Sequence, residues 1–212
     1  MKALGMIEVY SFTTAVCVAD LAAKTADVAV VAMDRNRPKS ATAPAPLVMI
    51  VKIEGEVAAV RAAVDAGVEY AKNEGKYIIS HVIANPGDMV ELMGYKLDIN
   101  KDKYNKKLPK SFIGVETPIK QYEAIGLLEI QGLVAAIAGL DDMLKAADVK
   151  VIHTEKRLGG RLVTFVIMGH VSAVKAAIEA GIKSATALGE KFGDAVIANP
   201  HAEVMKFFDT ES

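Results

Sequence analysis

The run Val-Ile-Ala-Asn-Pro occurs twice, at Val82–Pro86 and at Val196–Pro200. Self-similarity of this kind decides an architecture before any single motif does. At the same offset of 114, Gly55 aligns with Gly169, Val57 with Val171, Val60 with Val174, and Ala66-Gly67 with Ala180-Gly181. Nearer the start of each copy the offset is 121. There Gly5 aligns with Gly126, Glu8 with Glu129, Asp20 with Asp141, and Lys24 with Lys145. The first copy therefore carries seven extra residues between positions 28 and 55. Two long copies do not make a solenoid, which stacks many short units. The chain is a duplicated domain.

Both copies carry the same hydrophobic pattern. In the first, Ala3–Tyr10 reads as a strand and Phe12–Thr25 as a helix. Val28–Met33, rich in small and β-branched residues, reads as a buried strand. Leu47–Ile53 is a further strand. Glu56–Asn73 is an amphipathic helix stopped by Gly75, and Ile78–Ile83 is the last strand. Pro86-Gly87 opens a short helix around Met89–Leu92. The second copy repeats this order from Ile125 to Phe208. The expected class is α/β (α+β): two tandem ferredoxin-like βαββαβ domains, at 1–93 and 124–212. Residues 94–123 join them. Their core, KLDINKDKYNKKLPK, holds six lysines and two aspartates. It reads as a solvated connector, with binding of cargo or nucleic acid as the other readings.

Composition narrows the function. The chain has 25 Lys+Arg and 26 Asp+Glu, a net charge of -1, without the basic excess of a generic nucleic-acid binder. Hydrophobic residues make up 52% and mean hydropathy is +0.27. Even so, apolar stretches such as Gly132 to Leu140 are about half the ~18–20 residues a membrane span needs. Glu8 interrupts the apolar run a signal peptide requires. A cytosolic protein that buries surface against other chains fits this composition.

The repeats open with ALGMIE and AIGLLE and close with VIANPG and VIANPH. With the long stretches AIGLLEIQGLVAAIAGLDDMLKAADVKVI and KRLGGRLVTFVIMGHVSAVKAAIEAG, they resemble bacterial microcompartment shell proteins of the tandem-domain, non-permuted type. The resemblance covers both copies. It implies homotrimers that imitate a hexamer, as pseudohexamers, and tile edge to edge with other shell proteins around encapsulated enzymes. It also implies a pore on the trimer axis for metabolite transport, and a structural protein rather than an enzyme. The site would be cytoplasmic, in the microcompartment shell, with no membrane or nucleic-acid partner.

In such proteins the loop between the second and third strands lines the pore. In copy two this is Arg157-Leu158-Gly159-Gly160-Arg161, with Gly160 at the family's usual pore position and Arg161 where a small residue is common. By itself the Gly-Gly pair also reads as an ordinary tight hairpin turn. In copy one the loop is Asp34–Pro46, where Pro38, Pro44 and Pro46 suggest a stiff, extended course. It is either a variable surface loop or a cover for the pore mouth. It brings Arg35, Arg37 and Lys39 against Asp34, a net +2. Glu155 to Arg161 is also net +2, so two loops in each of three chains give +12 around one axis. A ring of that sign attracts anions and small polar metabolites.

The resemblance further implies a shell-edge role for Lys24 and Lys145, each near the end of the first helix of its copy. Asn85 and Asn199 stand where the family often has arginine, and His201 follows Pro200 as in the family. Lysine there also suits the helix dipole. Some tandem relatives hold an iron–sulfur cluster through a loop cysteine. Neither loop here has one, and Cys17 reads as a buried small hydrophobe, so no cofactor and no metal is expected. Two other functions fit a ferredoxin-like duplication. One is a trimeric small-molecule-binding regulator with Asp34–Pro46 as its mobile element. The other is an enzyme using His153 and Glu155 as an acid–base pair, although His153 reads more simply as a strand residue facing a neighbour.

Overall fold

A computed structural model describes residues 2–38, 40, 42–87, 90, 123–155 and 159–208. In the first half β1 (Ala3–Tyr10) leads to α1 (Phe12–Thr25), β2 (Val28–Asn36), β3 (Val48–Gly55), α2 (Val57–Asn73) and β4 (Tyr77–Ile83). In the second, β5 (Ala124–Gln131) leads to α3 (Leu133–Ala146), β6 (Lys150–Glu155), β7 (Leu162–Gly169), α4 (Val171–Ala185) and β8 (Lys191–Ala198). A four-residue helix, α5 (Ala202–Met205), follows.

Each half has the expected βαββαβ order and forms one antiparallel sheet, β2-β3-β1-β4 in the first and β6-β7-β5-β8 in the second. The duplication holds down to single backbone pairs. β1 pairs β3 from Ala3↔Gly55 to Tyr10↔Val48, and β5 pairs β7 from Ala124↔Gly169 to Gln131↔Leu162. The register shift after Glu8 recurs after Glu129, and the one between Val30 and Ala32 recurs between Val151 and His153. A one-residue slip would turn every core side chain to the other face, so matched bulges preserve matched cores.

The core lies between each sheet and its two long helices. α2 rests on β1 and beside α1, and α4 rests on β5 and beside α3. A Cβ on Gly5 would lie 2.7 Å from Val60 Cγ1 and 2.8 Å from Val64 Cγ2. A Cβ on Gly126 would lie 2.7 Å from Val174 Cγ1 and 2.9 Å from Ile178 Cγ1. These glycines, paired by the sequence repeat, let the second helix of each half lie directly on the central strand.

Two features differ from the sequence reading. β2 runs on through Asn36, because Asp34, Arg35 and Asn36 stay paired with Ile50, Met49 and Val48. The Pro-rich loop is not extended along its length. Ala43 N–H donates to Ser40 O at 3.3 Å, and Ala45 and Leu47 are buried. His201–Phe207 belong to the first compact unit, with the residues of the first copy, whereas Phe208 belongs to the second.

Gly126→Ala should lower stability by roughly 1–3 kcal/mol, the range for forcing an extra carbon into a filled core. Urea denaturation of the variant beside the parent would measure it. An unchanged midpoint would mean that α4 can move off the strand without loss.

Candidate functional site

The turn in the second copy is built by backbone geometry. Leu162 N–H donates to Gly159 O at 3.1 Å, and both central residues are left-handed, Gly160 at φ 62° and Arg161 at φ 61°. Two positive φ values are what a type I′ hairpin needs, and its twist matches that of the flanking strands. The Gly-Gly pair thus does form the tight turn that its chemistry suggests. The turn is fixed from the side: Gly132 N–H donates to Arg161 O at 2.9 Å, and Gln131 Nε2 donates to Gly160 O at 3.0 Å. Gly132 sits at φ 102°, a conformation side chains resist. Its partner in the first copy is Ser11, at φ 78°, whose N–H donates to Leu47 O at 3.1 Å. Both loops are pinned at the same point of the fold.

Of the loop cations, Arg161 and Arg37 are exposed and Arg35 is half-buried in β2. Asp34 lies 4.0 Å from the buried Lys52 Nζ and accepts from Arg35 N–H at 2.7 Å. Part of that loop's charge is therefore committed within its own sheet. Arg157, Leu158 and Lys39 lie outside the described residues. Beside the turn is a hollow of about 490 Å³ bordered by Gln131, Arg161, Val134 and Leu188.

The second group of residues meets at Asp20. This buried carboxylate accepts from Lys24 Nζ at 2.5 Å and from the His201 N–H at 2.7 Å. The His201 side chain then caps α5, its Nδ1 accepting from Glu203 N–H at 3.2 Å. Glu203 Oε2 accepts from Val30 N–H at 2.6 Å, at the bulge of edge strand β2. Val204, Met205 and Phe207 are buried beside these bonds. Lys24 and His201 are thus joined through one carboxylate that the sequence reading did not single out. The signal was there, in the i, i+4 spacing of Asp20 and Lys24.

Lys145 makes the corresponding pair with Asp141, but both are exposed. The hydrogen bond and charge of Asp141 raise the Lys145 pKa. Asn85 is exposed after β4. Asn199 is exposed at φ 45°, with its N–H on Glu123 O at 2.6 Å.

His153 does not face outward. It is buried in β6, with Nε2 3.7 Å from Glu155 Oε2 and its ring 5.3 Å from that of Phe208. Cys17 is buried in α1. Burial pushes its thiol up to about 11, opposed in part by a hydrogen bond with Tyr70.

Residues 3–86 and 124–200 each match the BMC domain. The chain belongs to the BMC-domain family. Over 203 residues it is 32% identical to the carboxysome assembly protein CcmO of Synechococcus elongatus, a match that covers 96% of this chain and 67% of that one. Over 86 residues it is 45% identical to the bacterial microcompartment shell protein PduA of Salmonella typhimurium, covering 41% of this chain and 90% of that one. The shell protein EutM of Escherichia coli is 43% identical over 86 residues, covering 41% of this chain and 88% of its own. The pattern is that of BMC domains placed in tandem. Among the described residues, no helix of this BMC protein is long and apolar enough to cross a membrane.

Asp20→Ala leaves the His201 N–H without its acceptor and should cost about 1–3 kcal/mol. The matching Asp141→Ala removes only an exposed pair and should cost under about 1 kcal/mol. Thermal unfolding of the two variants side by side checks this, and equal losses would refute the difference. The Cys17 thiol has a second consequence. The folded state holds its proton up to about 11 and the unfolded chain releases it near 9.0, so stability should fall as pH rises from 9 to 11. Cys17→Ser should flatten that slope in a urea titration.

Proposed function

We propose that the protein is a structural shell component of a bacterial microcompartment. In this reading it is a homotrimer whose six BMC domains imitate a hexamer and tile with other shell proteins around encapsulated enzymes, within the cytoplasm. Shell domains occupy 1–93 and 124–212, and 94–123 is their connector. The observation that carries the reading is the pair of BMC domains in one chain with one sheet order, one register and the same bulges. Halves so alike can fill alternating places in a ring with near-six-fold symmetry.

The pinned turns are the candidate pore lining. Gly159 and Gly160 present backbone and no bulk, which lets several copies crowd one axis. Arg161 and Arg37, with Arg157, Leu158, Lys39 and Arg35, would set its width and sign, favouring small anionic or polar metabolites. Lys24, Lys145, Asn85, Asn199 and His201 are proposed for disc edges. Their chemistry supports assembly rather than catalysis.

Light scattering should give about three times 22.5 kDa, and a stable monomer at micromolar concentration would overturn the proposal. For the pore, Arg157→Ser with Arg161→Ser should reduce anion preference in planar bilayers, more so at low salt, where screening is weak. Unchanged selectivity with intact trimers would remove these arginines from the conduction path. Lys24→Ala with Lys145→Ala should abolish sheets seen by negative-stain microscopy and leave trimers intact. Loss of the trimer instead would place those lysines in its internal contacts.

A further inference from the structure

The segment that ends the second repeat leaves the half it grows from. Pro200 belongs to the second compact unit, and His201–Phe207 belong to the first. There the segment acts as a strap against α1 and β2. Val204 and Phe207 are buried. Two bonds tie the strap down at its polar points: His201 N–H donates to Asp20 Oδ1 at 2.7 Å, and Val30 N–H donates to Glu203 Oε2 at 2.6 Å. Each carboxylate has a lysine beside it, Lys24 at Asp20 and Lys206 at Glu203. The seat is therefore specific. It combines a buried acceptor, an outward N–H of an edge strand and an apolar floor, and an empty seat would leave the first two unmatched.

The hinge of the strap is strained. Asn199 has φ 45° and is followed by Pro200, whose own φ is fixed by its ring. The aligned Asn85 has no positive φ, so the bend belongs to the copy that delivers the strap. A left-handed φ outside glycine costs free energy and persists only where surrounding bonds enforce it. A short strained hinge before a self-contained docking element favours exchange of that element between copies. Every bond of the seat is remade, and the hinge is free to relax. The connector 94–123 does not prevent this. Fully extended, it reaches up to roughly 100 Å, so it does not dictate which copy's strap fills which seat.

We infer that the strap is exchanged in the assembled protein: the seat at Asp20 and Val30 of one chain is filled by His201–Phe207 of a second copy. The second copy then supplies the backbone donor for Asp20, the carboxylate for Val30 and the buried Val204 side chain. These are the bonds found within one chain, so exchange gives up none of them. Each chain offers one strap and one seat, and straps passed in one direction join every chain to the next. This inference rests on the homotrimer reading and adds that neighbouring chains complete one another's first halves.

The test uses full chains in a Cys17→Ser background, on the isolated trimer, so that contacts between discs do not contribute. One chain carries Lys24→Cys and one affinity tag, and the other carries His201→Cys and a second tag. They are co-expressed and treated with a short bis-maleimide. Lys24 and His201 meet at the two oxygens of Asp20, and His201→Cys keeps the backbone donor. The expected result is a doubly tagged, covalently linked dimer, with none when the exposed Asp65→Cys replaces Lys24→Cys. No linked dimer, or equal linking by Asp65→Cys, would overturn the inference and leave the trimer standing. If the cysteine variants do not form trimers, the parent chain answers the same question. Equal amounts of natural and heavy-nitrogen protein are unfolded, refolded together and treated with an amine cross-linker. Lys24–Lys206 peptide pairs of mixed isotope, read by mass spectrometry, support exchange, and pairs of a single isotope overturn it. A monomer by light scattering in the parent would overturn the trimer reading as well.

Discussion

In each half one helix lies directly on the central strand, at Gly5 beneath Val60 and Val64 and at Gly126 beneath Val174 and Ile178. A side chain at either position would hold the helix away from the strand. Ile7, Ile53 and Val60 of the first half, like Leu128, Ile167 and Val174 of the second, would then lose their burial. The position of that helix governs what lies beside it. α1 packs against α2 and α3 against α4, and the strand ends carry the loops. The carbonyls of Leu47 and Arg161 meet the N–H groups of Ser11 and Gly132 where the central strand turns into its first helix. A close contact in the core therefore fixes the place of the loops beside the start of each first helix.

Most of this framework was legible in the sequence because duplication supplies two readings of one pattern. Alternation and helical spacing identify the strands and helices, and agreement between copies removes the ambiguity of short apolar runs. The glycine pairs were visible as aligned letters, although only the packing explains them. The end of β2 was not legible. Asp34, Arg35 and Asn36 lack the apolar character of a strand, and they remain in the ladder because Val48, Met49 and Ile50 lie opposite. Pairing outweighs local propensity there. The three prolines suggested an extended loop, but the turn at Ser40–Ala43 and the burial of Ala45 and Leu47 depend on contacts the local sequence does not encode.

The site was legible in part. Lys24, Lys145 and His201 stood out by type and position, and the Gly159-Gly160 pair by its turn chemistry. The role of Asp20 was hidden because one of its partners is a backbone N–H about 180 residues away. Sequence spacing can reveal the Asp20–Lys24 pair on one helix face. It cannot reveal a main-chain donor brought in from the far end of the chain. The same holds for Glu203, whose carboxylate takes the Val30 N–H at a bulge. Irregular strand edges offer such donors, and no residue type announces them.

The two copies are alike in backbone and unlike in surface. Thr13 and Ala23 of α1 are small and buried, while Val134 and Leu144 of α3 are larger and exposed. Divergence for its own sake would more readily have made the exposed helix polar, since an apolar face in water favours unspecific association. Retention of valine, isoleucine and leucine there is the pattern expected of an interaction surface. A self-complementary patch would join two chains about a two-fold axis and stop. A contact between unlike surfaces joins chains in sequence, and such a contact closes into a ring only when its rotation divides the circle evenly. Two near-identical halves make that condition easy to meet, because a contact between chains that copies a contact within the chain repeats the same geometry at every step. In the proposed trimer the pinned turns would recur at regular positions around the ring. Their differing lengths and charges can diverge without disturbing closure, since the loops are held at Ser11 and Gly132 and not by one another.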